Sequence, residues 1–131
     1  MLGKYGIHTG YLELWGSGKP MREFLWSEEM ADASVFIMER VDFSDLAKAK
    51  TEIRNCHINI GTGKEISIRD LSQLIAETVG YGGEIRFDSS KPDGTMRKLT
   101  DVSKLNGLGW KHKIEIDEGV KKMYQWYVEN I

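Results

Sequence analysis

A single cysteine, Cys56, stands in 131 residues, which excludes an intramolecular disulfide and any multi-cysteine zinc site. A reducing cytoplasm is the compartment this usage predicts. Long apolar runs are missing as well. No stretch approaches the roughly 20 residues that a membrane-spanning helix needs, so no membrane partner is expected. A basic excess is also absent, since Lys and Arg number 18 against 20 Asp and Glu, for a formal net charge of −2. Without a long-range positive field no nucleic-acid partner is expected, and any anion site has to be built locally. The three histidines, His8, His57 and His112, do not fall with carboxylates at metal-ligand spacing. Each reads as a surface or packing residue, and no metal is expected.

What is present describes a folded domain. Apolar residues make up 40% of the chain and charged residues 29%, a balance that disfavours disorder and supplies one core. Residues 1–10, "MLGKYGIHTG", hold three glycines and no periodicity. They read as a flexible lead-in or an artificial start within a longer protein, and lack the pattern of a signal peptide. Residues 11–131 read as one unit.

"YLELW" at 11–15 has the length and aromatic content of a strand, closed by the turn residues "GSGKP". Ser27 is placed to cap a helix with Glu28 and Glu29 in its first turn, and Met30, Ala33, Ile37 and Val41 repeat at helical spacing. The mixed charges of 42–55 predict a surface connection with one helical turn. "CHINI" at 56–60 reads as a short buried strand. Ser67 with Asp70 three positions on opens a second helix, whose apolar face is Ile68, Leu71, Ile75 and Val79 and whose left-handed stop is Gly80. "EIRFD" at 84–88 alternates as a half-buried strand does. Ser103 is placed to cap a short helix ending at Gly109, and a last helix from about Asp117 carries Val120, Met123, Tyr124, Tyr127 and Val128 on one face. The sum is a small mixed α/β domain of a few short strands and three to four helices.

Two dehydrogenase signals fail. "NIGTGKEIS" offers Gly61 and Gly63 after an apolar run, but the third glycine of a dinucleotide fingerprint would fall on Ile66. The two glycines then serve a tight turn. None of the tyrosines has a lysine four residues later, so the Tyr-x-x-x-Lys proton-transfer pair is missing. Two polar segments remain, "WGSGKPMREF" at 15–24 and "KPDGTMRKLTD" at 91–101. Loop cations on a rigid scaffold hold phosphates, because guanidinium forks match oxygen pairs and ammonium neutralises charge, while an indole covers a sugar or base. A solvated surface of local ion pairs is the competing reading.

The strings "LWGSGKPMREFL", "INIGTGKEISIRDL" and "FDSSKPDGTMRKLTDVSKLNGLGW", in this order, resemble the GDP-L-fucose synthase family of extended short-chain dehydrogenase/reductases over about residues 11 to 130. The resemblance is to the C-terminal, substrate-binding portion. It implies an NADPH-dependent epimerase and reductase that converts GDP-4-keto-6-deoxy-D-mannose to GDP-L-fucose. It further implies an N-terminal Rossmann domain that holds NADP(H) and carries the catalytic Ser, Tyr and Lys, and a homodimer in the complete enzyme.

None of those catalytic residues can be placed here, so the chain alone is expected to be inactive. The family's tryptophan and arginine fall on Trp15 and Arg22 and its lysine on Lys98, all as GDP-sugar contacts, with Arg97 and Asp93 as adjacent candidates. Trp26-Ser27 stands where many members have His-Val, and 42–55 looks like a lineage-specific loop. A free-standing nucleotide-sugar binding module, or part of an enzyme acting on UDP- or dTDP-sugars, is the alternative.

Overall fold

The computed structural model describes residues 10–48 and 52–131. The lead-in assigned to 1–10 therefore lies almost wholly outside the described residues, as does part of the 42–55 connection. The elements run β1 (Tyr11–Trp15), β2 (Met21–Arg22), α1 (Ser27–Arg40), α2 (Phe43–Ala47), β3 (Ile66–Ser67), α3 (Ile68–Val79), β4 (Glu84–Asp88), α4 (Ser103–Gly107) and α5 (Ile116–Asn130). This is the mixed α/β architecture expected, with short strands throughout.

Strands β1 and β4 pair in parallel with Tyr11 opposite Glu84 and Trp15 opposite Asp88. Parallel neighbours need a long crossover, and all of β2, α1, α2, β3 and α3 lies between them. The second ladder is minimal: Met21 faces Ser67 and Arg22 faces Ile66 in an antiparallel pair. Two-residue strands carry no hydrophobic alternation, which is why the sequence pattern missed them.

Local capping marks both ends of α3. Ser67 accepts from the Asp70 N–H at 3.0 Å, and Gly80 stops the helix at φ 70°. The start is further fixed from outside, because Ile68 N donates to Pro20 O at 3.0 Å and Arg69 N to Gly18 O at 2.9 Å. The loop after β1 thus supplies acceptors that the first turn of a helix otherwise lacks.

Three sequence expectations are corrected. Ser27 is the first residue of α1, not its cap; Trp26 holds the cap position without a side-chain bond. The acids of that helix reach across the molecule instead: Glu29 accepts from Lys113 N at 2.6 Å, and Asp32 from the Trp110 indole N–H at 2.7 Å. Ser103 likewise sits inside α4 behind Val102, and Asp101 accepts from its backbone N–H at 2.9 Å. Finally, 56–60 forms no strand. Its isoleucines do go inward, with Ile58 and Ile60 packed against the core, but no other described strand lies alongside to complete a ladder.

The core is small and sits between α1, α4 and the 110 region. Ala33 and Leu105 are fully buried and Trp110 nearly so, with Leu25, Phe36, Ile37, Ile58 and Ile60 around them. Alanine at 33 lets α1 come close to the leucine. Helix α5 lies against α3, yet its apolar side is only partly covered: Met123, Trp126, Tyr127 and Val128 are all exposed. Among the described residues no helix is long and apolar enough to cross a membrane.

Candidate functional site

The two polar segments singled out from the sequence meet. Ser17 donates to Asp93 from both its N–H, at 2.8 Å, and its hydroxyl, at 2.6 Å, across 76 residues of chain. Met21 N donates to Met96 O at 2.8 Å, and Arg22 Nη1 to Thr95 O at 2.7 Å. Backbone-anchored bonds of this kind fix register between loops that no ladder aligns. Gly16 makes the contact possible. Its φ is +88°, and a Cβ there would fall 2.5 Å from Asp93 Oδ1. Gly16→Ala is therefore expected to loosen the loop pair and lower stability by about 1–2 kcal/mol, read as a reduced urea midpoint.

Each predicted site residue has a defined place. Trp15 ends β1 with its side chain outward, 74% exposed, and Lys91 Nζ stands 5.5 Å from the ring centroid. An indole so placed presents an open apolar face beside a cation. Arg22 is held by Nη1, which also donates to Met21 O at 2.6 Å, so the rest of the fork has no partner among the described residues. Lys98 is exposed and has no partner among the described residues either. These three are the groups a ligand could engage directly.

Arg97 and Asp93 are differently occupied. Arg97 Nε lies 2.7 Å from Glu65 Oε1 in an ion pair whose acid is largely covered. Asp93 spends both oxygens on Ser17, and that hydroxyl, then the Ser17 N–H, holds its carboxyl below the ordinary value. Both residues tie segments together.

The GTG turn is occupied from within the chain. Its amides point at a carboxylate of the same chain: Thr62 N and Gly63 N donate to Glu23 Oε1 at 2.6 and 2.7 Å. The Thr62 hydroxyl adds a third bond at 3.1 Å, and Thr100 N reaches Oε2 at 3.0 Å. A Cβ on Gly61 would come within 2.6 Å of that same Oε1. An amide cradle already filled by an internal anion does not fit a pyrophosphate as well. Burial acts to raise the Glu23 pKa, but the bonds from Thr100, Gly63 and Thr62 outweigh it and hold the carboxyl below its usual range.

Sequence reasoning missed Glu23. The only local hint was an acid next to Arg22, and its donors lie 39 to 77 residues away. It missed too a depression of about 210 Å³ lined by Arg22, Phe24, Thr62, Lys64, Glu65 and Ile114, among others. Lys64 there is paired to Glu115, with His112 Nε2 3.3 Å from the same carboxylate oxygen. Among the described residues no group of histidine, cysteine and acidic side chains could hold a metal ion.

No protein-family model matches the chain. Among curated proteins it is similar to the GDP-L-fucose synthase of Escherichia coli (strain K12), 50% identical over 117 residues that make up 89% of this chain and 36% of that one. Among solved structures, a GDP-6-OMe-4-keto-L-xylo-heptose reductase from C. jejuni superposes with a TM-score of 0.91 at 44% identity, covering 98% of this chain and 37% of that one. A GDP-mannoheptose C4 reductase from Campylobacter jejuni with NADP bound gives 0.83 at 43% identity, covering 95% and 37%. The chain thus spans about a third of the length of the relatives it matches. Over nearly nine-tenths of its length it is similar in sequence to GDP-L-fucose synthases, of which it matches about a third.

Proposed function

We propose that residues 11–131 are the GDP-sugar-binding portion of an NADPH-dependent epimerase and reductase of the GDP-L-fucose synthase type, whose complete form makes GDP-L-fucose from GDP-4-keto-6-deoxy-D-mannose. The observation that carries this is the zipping of the 15–23 loop to the 93–100 loop by Ser17–Asp93, Met21–Met96 and Arg22–Thr95 bonds. It joins the two segments that carry Trp15, Arg22 and Lys98, the three predicted residues with groups left open to a ligand, and so supports reading them as one binding surface.

The roles follow from chemistry. Lys98 neutralises one phosphate of the diphosphate as a point charge, and the free part of the Arg22 fork binds an oxygen pair on the other. Trp15 covers the base or sugar with its open face. Arg97 and Asp93 border this surface and keep its loops in place through Glu65 and Ser17.

The nicotinamide cofactor supplies hydride. The GTG turn does not fit it, so its place lies with the rest of the parent enzyme, a Rossmann domain that partners this one in a cytoplasmic homodimer. This chain contributes orientation of the GDP-sugar, which accelerates reaction through proximity, and alone turns over no substrate.

A GDP-heptose is the second reading of the sugar, favoured by the 0.91 TM-score to a heptose reductase. The GDP moiety is common to both. Amide NMR titrations with GDP-mannose, UDP-glucose and NADPH test the assignment. GDP-mannose is expected to shift the 15–22 and 93–98 loops, with Arg22→Ala and Lys98→Ala each weakening affinity about ten- to a hundredfold. Unchanged affinity in both variants, or a response to NADPH alone, rejects it.

A further inference from the structure

Glu23 is half-buried and joins the GTG turn to the 93–100 segment. Its Oε1 takes three donors from Thr62 and Gly63, and its Oε2 takes the Thr100 N–H. A carboxylate offers about four acceptor positions, so one side chain serves both segments at once. A neutral amide cannot, because its NH2 would meet one of the N–H donors head-on.

The consequence reaches the cations. The segment from Thr95 to Thr100 is pinned at its start by Arg22 Nη1 on Thr95 O and at its end by Glu23 on Thr100 N. Met21 N on Met96 O adds a third tie. Lys98 lies between these fixed points, and no bond of its own to a described residue holds it. Its position relative to Arg22 is therefore set by the chain on either side: before it by the Arg97–Glu65 ion pair, and after it by the Thr100 N–H on Glu23, the residue next to Arg22.

Resting on the anion-binding reading above, we propose that Glu23 is a positioning residue for the diphosphate. It locks the segment bearing Lys98 against the strand bearing Arg22, so that the two cations meet the phosphates at a set separation. It also occupies the GTG amides of Thr62 and Gly63, so that those N–H groups do not compete for the anion. The role is a matter of placement, and Glu23 itself makes no contact with ligand.

A double-mutant cycle tests it, with GDP-mannose as the probe and dissociation constants taken by NMR titration on the folded chain. Glu23→Gln is expected to weaken binding about tenfold, and Lys98→Ala at least as much. The double variant should bind no more weakly than Lys98→Ala alone, since a displaced lysine and a missing one are equivalent. A merely structural role would lower the folded fraction but leave the two effects independent. Additive losses therefore overturn the proposal, as does unaltered affinity in Glu23→Gln when Lys98→Ala is impaired. If Lys98→Ala and Arg22→Ala both bind as the unaltered chain does, or the unaltered chain binds nothing, the anion-binding reading fails and this role with it. Should Glu23→Gln not fold, Glu23→Asp takes its place in the cycle. That shorter carboxylate keeps its charge but reaches only one of the two segments, and the same outcomes apply.

Discussion

Glu23→Ala is expected to cost about 3 kcal/mol of folding free energy, because three backbone N–H groups lose a charged acceptor and are left partly buried without a partner. The donors are Thr62, Gly63 and Thr100. Urea denaturation at neutral pH measures the loss. The pH dependence carries a second signature. The folded-state pKa of Glu23 is depressed below its ordinary 4.5, so its contribution is fully present above that value and is lost as pH falls through the folded pKa. The gap in stability between the unaltered chain and Glu23→Ala should therefore shrink as pH drops below 4.5. A gap that stays constant from neutral pH into that range would show that the carboxylate's charge contributes nothing.

Leu105→Ala is expected to cost a similar amount, about 3 kcal/mol, through lost burial and the cavity left behind. Leu105 is the largest fully buried side chain among the described residues. It touches a cluster with few members, Ala33 and Trp110 above all, so little can collapse into the space. Near-ultraviolet circular dichroism of the indole bands should weaken in parallel, as Trp110 loses its neighbour. Val128→Ala, at a position 59% exposed on α5, serves as the contrast and should change stability by no more than about 0.5 kcal/mol. A Leu105→Ala variant as stable as Val128→Ala would mean that the cluster is not the core.

Much of the fold was legible because its causes are local. Helix α3 could be placed from its Ser67–Asp70 start and Gly80 stop, and the structure shows that bond and that left-handed residue. The strands at 11–15 and 84–88 followed from composition and alternation, and α5 from its apolar spacing. The cap residues of α1 and α4 were misplaced by one position. In α4 the neighbouring Asp101 provides the acceptor, and in α1 the cap has no side-chain bond.

The segment 56–60 shows where pattern reasoning fails. Its isoleucines are apolar for the reason inferred, since Ile58 and Ile60 pack inward. A strand, however, is a pairing between two chains, and the hydrophobic pattern of one cannot report whether a neighbour is present.

By itself, then, the sequence determined the local elements, the absence of the paired tyrosine and lysine, and the two polar segments that carry Trp15, Arg22 and Lys98. Only the tertiary structure decided which charges are spent. Asp93 is committed to Ser17, Arg97 to Glu65, and the GTG amides to Glu23. The physical reason is distance along the chain: each of these bonds joins residues at least 32 positions apart. Such partners are chosen by how helices and strands pack, and a charge in a sequence carries no mark of whether folding will bring it an opposite one.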